Sequence, residues 1–149
     1  EKFGAGRGTR LAAAQQGLQK VLVSLGPDVA IDIVAFSDHS RSWHGSLRRL
    51  DDAAKKSAAE FVADLHPGGD CNLLAGLQAA YRDPEVDTVY LLTDAQITAG
   101  EIVDPAQFAA EVSGWNRLRR VTIHTISLGT RSDLLRQLAV DSGGVPVER

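Results

Sequence analysis

The sequence predicts an α/β domain in three layers, a mostly parallel sheet between helices with one antiparallel edge strand. Three observations predict it. Residues 29–36, 87–93 and 121–128 are short, largely apolar runs of the kind that form strands covered on both faces. Segments with apolar residues at helical spacing alternate with these runs, and glycine, proline or clustered polar residues mark most junctions. At 149 residues the chain suffices for one such domain, spanning 1–149.

Each element follows from local chemistry. Gly4, Gly6 and Gly8 predict a flexible opening, with Thr9 capping a helix in which Leu11, Ala14, Leu18, Val21, Leu22 and Leu25 recur at helical spacing. Gly26-Pro27 ends that helix. After strand 29–36, polar residues 37–40 turn the chain and residues 42–47 return as the antiparallel edge. Asp51 or Asp52 caps a second helix with Ala54, Ala58, Phe61, Val62 and Leu65 inward. Residues 66–72, with two glycines and a proline, form a loop, and a helix over 73–81 closes at Asp83-Pro84. Strand 87–93 leads into a loop over 94–104. A helix begins near Pro105, turning Phe108, Val112, Trp115 and Leu118 toward the core. Strand 121–128 ends at Gly129, and the last helix carries Leu134, Leu135, Leu138 and Val140. Gly143-Gly144 then introduces Val145-Pro146-Val147, where proline permits only an edge strand.

Composition excludes several classes. With 44% hydrophobic and 23% charged residues the chain is not of the disordered type. A net charge of -3 leaves no basic field for general nucleic-acid binding. No segment reaches 18 consecutive apolar residues, the signature of a membrane span. The single cysteine, Cys71, forms no intrachain disulfide. Without methionine or a basic-then-apolar leader, residue 1 reads as a cut or processed end.

Ligands of such sheets bind beyond the carboxyl ends of the strands. Two loops qualify there by their chemistry: Gly68-Gly69-Asp70-Cys71-Asn72, which opens a helix, and Thr93-Asp94-Ala95, which ends a strand. A carboxylate at the tip of an apolar strand is partly desolvated and needs a cation, amide donors or a hydroxyl. Asp94 either meets such a group or caps its own loop.

These residues carry a resemblance. The run Thr93-Asp94-Ala95-Gln96-Ile97-Thr98-Ala99-Gly100 resembles the Thr-Asp-Gly segment of von Willebrand factor A (vWA) domains, and residues 68–73 resemble their Gly-Gly-Thr-Asn-Leu loop. Residues 33–37 are similar to the family's second strand. Residues 121–129 and 134–144 resemble its late strand, Leu-rich helix and Ser-Gly-Gly turn, so the likeness covers about residues 9–148, most of all to the bacterial branch. The implied fold is Rossmann-like. The implied function is a non-enzymatic protein-binding module with a metal ion-dependent adhesion site (MIDAS) built from Asp-x-Ser-x-Ser, a threonine and a later aspartate. Asp94 matches that aspartate, and Cys71 stands at the threonine position with Asp70 beside it. The implied cofactor is Mg²⁺, whose open coordination position takes an acidic residue of the protein partner. A thiol is a poor Mg²⁺ ligand, so Asp70 would take over directly or through water.

Asp38-His39-Ser40-Arg41-Ser42 satisfies Asp-x-Ser-x-Ser literally, but too few elements separate it from Cys71, and it reads as a hairpin turn. The resemblance instead puts the first motif upstream of Glu1, after a strand lying between 29–36 and 87–93. Two interior edges would then await complementation, by upstream residues or by a strand from a second copy. Two alternatives stand beside this reading: a degenerate scaffold domain without metal, and a cysteine-dependent or nucleotide-binding enzyme. For the enzyme, Cys71 lies near a helix N-terminus with His66 five positions away, but Gly4-Ala5-Gly6-Arg7-Gly8 has no preceding strand and no Walker lysine. His124 reads as a satisfied core residue, and Arg117, Arg119 and Arg120 as the solvated end of a helix. Trp43 and Trp115 read as packing residues, with Trp43, His39 and His44 as an alternative contact surface.

Overall fold

The computed structural model describes residues 2–26, 28–36, 40–65, 72–93, 102, 104–127 and 132–148, with side chains omitted for 2–11 and 13. The elements run α1 (Lys2–Ser24), β1 (Ala30–Ile31), β2 (Val34–Phe36), β3 (Ser40–Ser42), β4 (Arg48–Arg49), α2 (Asp52–Ala63), α3 (Leu73–Ala80), β5 (Thr88–Thr93), α4 (Pro105–Arg119), β6 (Thr122–Ser127), α5 (Asp133–Ser142) and β7 (Pro146–Glu148).

In the second half of the chain the elements follow from local signals, except that Leu118, expected to face the core, is 92% exposed because the inner stripe of α4 runs through Phe108, Val112, Trp115 and Arg119. Asn72, Asp104 and Ser132 cap α3, α4 and α5, each side chain accepting a backbone N–H three residues on. Pro105 occupies the first turn of α4, where its missing N–H costs nothing. At the far end of α5, Gly143 takes φ 83° and Gly144 donates to the Ala139 carbonyl at 2.8 Å. A Cβ on Gly144 would collide with the Ile123 carbonyl oxygen, so glycine lets this turn lie against β6. Strands β5, β6 and β7 form a parallel sheet in that order, with Thr88↔Thr122 through Thr93↔Ser127 in register. Pro146 starts the edge strand, as its missing donor requires.

One face of this sheet is the core. Leu91 and Ile123 pack with Leu73, Leu77, Phe108, Val112, Leu135 and Leu138 from the three helices. The opposite face, with Tyr90 66% exposed, carries a different chemistry. His124 lies there, half-buried rather than in the core. Its ring stacks on Tyr90 with centroids 5.0 Å apart, and its Nδ1 accepts the Val145 N–H at 3.0 Å.

The first half differs from the sequence-based expectation in two places. Helix α1 starts at Lys2 and runs through the glycines ahead of Thr9. Glycine weakens a helix by only about 1 kcal/mol per residue and no proline occurs before Pro27, so nothing local stops it. The apolar run 29–36 is two short strands rather than one, and the return lies at Ser40–Ser42 and Arg48–Arg49 rather than over 42–47. Between the paired segments, residues 43–47 bulge opposite Asp32 and Ile33. Asp32 organises the bulge: its carboxylate accepts the N–H groups of Ile33 (2.8 Å), His44 (2.9 Å) and Gly45 (3.1 Å).

The hairpin is the middle layer. Ile31 and Ile33 pack toward α1 and α2, whose cluster contains Leu22, Leu50, Ala54, Ala58 and Val62. Phe36 packs toward α3 and the core of the parallel sheet. Of the two candidate caps, Asp51 rather than Asp52 caps α2, accepting from Ala54 N–H at 2.8 Å. Helix α1 runs antiparallel to α2, with side-chain amides on carbonyls: Gln15 Nε2 donates to Val62 O (2.8 Å) and Leu65 O (3.2 Å), and Gln19 Nε2 to Ala59 O (2.9 Å). Among the described residues, no ladder joins the hairpin to β5, whose side away from β6 is unpaired.

Candidate functional site

Parallel strands β5 and β6 end side by side at Thr93 and Ser127, both buried on the core face. In the chain, Asp94 is the residue after Thr93, and Cys71 directly precedes Asn72, the cap of α3. Leu73 and Leu74 of α3 share one core with Leu91 of β5, so this helix start and this strand belong to a single packed unit. Asn72 Oδ1 accepts the Ala75 N–H at 3.0 Å. The candidates Asp70, Cys71 and Asp94 themselves lie outside the described residues, as do Asp38, His39 and His66. Among the described residues no group of three or more His, Cys, Asp or Glu is placed to hold a metal ion.

At the opposite end of the unit the structure assembles a cluster that the sequence did not suggest. Tyr81, which follows α3, is buried and meets Trp115 of α4 edge-on at 5.2 Å. Its hydroxyl donates to Asn116 Oδ1 at 2.7 Å. Burial raises the Tyr81 pKa above the ordinary phenol value, opposed by the Asn116 hydrogen bond and the charge of Arg119. Arg119 is half-buried rather than solvated. It donates to the carbonyls of Tyr81 (2.8 Å) and Asp83 (2.9 Å) and lies 5.3 Å from the Tyr81 ring. The one available signal was spacing, since Arg119 stands four residues after Trp115 on the same helical face. Asp83 accepts the N–H of Leu47 (2.8 Å) and of Glu85 (2.9 Å), and these two bonds hold its pKa below the ordinary carboxyl value.

Two shallow grooves border these helices. One, of about 240 Å³, lies between α4 and α5 against Val112, Asn116, Arg117 and Asp141. The other, of about 360 Å³, is bounded by Gln78, Tyr81, Trp115 and Arg119. Neither groups acids, bases and nucleophiles in a constellation suited to covalent or acid–base chemistry. Trp43 is a packing residue: its Nε1 donates to Ser57 Oγ of α2 at 3.1 Å.

A family described as the von Willebrand factor type A domain matches residues 5–147. The chain belongs to that family. Human von Willebrand factor A domain-containing protein 3A is 30% identical over 77% of this chain. Inter-alpha-trypsin inhibitor heavy chain H1 of Mesocricetus auratus is 27% identical over 95% of it. The chain spans only 10% and 17% of the lengths of these two relatives. Among solved structures, a von Willebrand factor type A protein from Catenulispora acidiphila superposes with a TM-score of 0.81 at 21% identity, covering 93% of this chain and 34% of that one. Proximal thread matrix protein 1 from the mussel byssus gives a TM-score of 0.66 at 24% identity, covering 91% and 35% respectively. Both share the fold of this vWA domain.

Proposed function

We propose that this vWA domain is a non-enzymatic module that binds a protein partner, and that a divalent cation at the carboxyl edge of the parallel sheet takes part in the contact. The observation that carries the reading is the in-register ending of β5 and β6 at buried Thr93 and Ser127, with Asp94 next in the chain and Asp70-Cys71 leading into the cap of α3. Donor chemistry fits in part. Asp94 and Asp70 offer hard carboxylate oxygens suited to Mg²⁺, whereas the Cys71 thiol does not. In this reading Asp94 and Asp70 hold the ion and an acidic side chain of the partner completes its shell. Among the described residues one side of β2 and one side of β5 are unpaired, which supports a further element of the proposal: a strand from another segment or a second copy inserts between them.

Cys71 favours a second reading, a scaffold vWA domain that binds its partner without metal. Calorimetric titration of Mg²⁺ and of Mn²⁺ into the domain and into its Asp94→Ala variant separates the two. Binding heat present in the parent and lost in the variant supports the metal reading, and absence of heat in both leaves the scaffold.

A further inference from the structure

The hairpin concentrates positive charge in an acidic protein. Residues 40–50 contain Arg41, Arg48 and Arg49 and no Asp or Glu, although acids outnumber Lys plus Arg by 19 to 16 in the chain. Two of these arginines rest on aromatic rings. The Arg41 guanidinium lies 4.9 Å from the Phe61 ring, and that of Arg48 lies 5.5 Å from the Trp43 ring. Stacking of this kind holds a guanidinium plane in place while its N–H edge stays available to a carboxylate. Among the described residues none of the three arginines pairs with a carboxylate.

The same arginines flank a strand edge. Among the described residues, β3 pairs with β2 on one side only, and β4 with β1 on one side only. In an antiparallel pair the backbone groups alternate between facing the partner and facing away. Trp43 N–H donates to Ile33 O at 2.7 Å, and Arg41 lies two residues before Trp43, so Arg41 turns its backbone inward and Ser40 and Ser42 turn theirs outward. Leu50 N–H donates to Val29 O at 3.0 Å, which by the same alternation turns the backbone of Arg49 outward. Outward peptide groups therefore line the edge, with Arg41 and Arg48, whose ladder partners Ala35 and Ile31 share a face, on one side of the ribbon and Arg49 on the other.

We propose that the outer edge of β3 and β4 binds an extended acidic peptide segment of a protein partner, which adds to the ribbon as a strand and sets the carboxylates of one face against Arg41 and Arg48, with Arg49 adding positive charge from the other face. A peptide is favoured over a lipid surface or nucleic acid because only a peptide backbone matches the outward groups of Ser40, Ser42 and Arg49 at the strand spacing of about 4.8 Å. The site uses neither Asp94, Asp70 nor Cys71, so it stands or falls independently of the metal reading.

The test is fluorescence anisotropy with a labelled eight-residue peptide of alternating glutamate and valine, titrated with the whole chain. Two companion peptides carry lysine for glutamate, or a central proline at the same net charge. The acidic peptide is expected to bind and the lysine peptide not. The proline peptide, which cannot complete a ladder, should bind several-fold more weakly. The triple variant Arg41→Gln, Arg48→Gln, Arg49→Gln should lose about tenfold in affinity with an unchanged circular dichroism spectrum. Amide resonances of Ser40, Ser42 and Arg49 should shift on binding. Because the companion peptides alter only the ligand, the outcome does not depend on the variant folding. Failure of the acidic peptide to bind overturns the proposal and leaves the arginines as guards of an exposed edge. Equal affinity for the proline peptide, or tighter binding to phosphatidylserine vesicles or to poly(U), also overturns it in favour of unspecific attraction to anions.

Discussion

The two halves of this domain hold themselves together by different means. Around the parallel sheet, Phe108, Ile123, Leu73, Leu77 and Leu135 are all under 2% exposed, and three helices meet through large side chains. Around α2 the buried residues include Ala54 and Ala58, and α1 approaches closely enough for its glutamine amides to reach the backbone of its neighbour. Large side chains bury more apolar area per residue, whereas small ones allow close approach and polar contacts between helices. Two contacts across the halves are tight: the Phe36 ring against Gly76, and the Asp83 carboxylate on Leu47 N–H.

This contrast is open to direct challenge. The largest expected effect is from Phe108→Ala, which empties a fully buried site and should destabilise the domain by about 3–5 kcal/mol in urea denaturation. A loss below about 1 kcal/mol would mean that the sheet half is not the better packed of the two. Next is Gly76→Ala. A Cβ there would stand 2.7 Å from Phe36 Cγ, in the middle of the side chain rather than at its tip, so the halves must shift apart at a cost of about 1–3 kcal/mol. Phe36→Leu in the same chain should recover part of that loss, and strict additivity in the double-mutant cycle would show that the contact does not couple the halves.

The smallest effect concerns Asp83 and depends on pH. Its folded pKa is depressed by the N–H groups of Leu47 and Glu85, so the ionised carboxyl stabilises the fold above its unfolded value and this contribution disappears as pH falls through the lower folded value. Asp83→Ala should lower the urea midpoint at about pH 7, and the gap from the parent should close as the pH drops below about 4. A gap that persists unchanged at about pH 2 would assign the loss to packing rather than to the charged acceptor.

Signals confined to a few neighbouring residues were the legible ones. Pro105 marks a helix start where the structure has it, Asp51 or Asp52 narrows another to the pair that contains the cap, and Pro146 marks an edge strand. The interruption at Asp32 was harder to read because every other residue in 29–36 is apolar, as in an unbroken strand. Its carboxylate shows its role only once residues 43–47 have folded back over it. Arg119 and Asp83 were opaque for the same reason, since their partners Tyr81 and Leu47 lie 38 and 36 residues away in sequence. For the candidate metal loops, the residue types of Asp70, Cys71 and Asp94 were legible in the sequence, and the structure supplies the sheet edge and helix cap next to them in the chain.

The glutamines of α1 have one more consequence. Gln15 and Gln19 are one turn apart, and their targets on α2 step back by a similar length, with Lys55 Nζ reaching Val23 O at 3.5 Å further along the seam. A groove lined with alanine is smooth and would let a neighbouring helix slide, but amide-to-carbonyl bonds are directional and spaced by the helical pitch. The two side chains therefore act as teeth, and they key α1 to a single setting against α2.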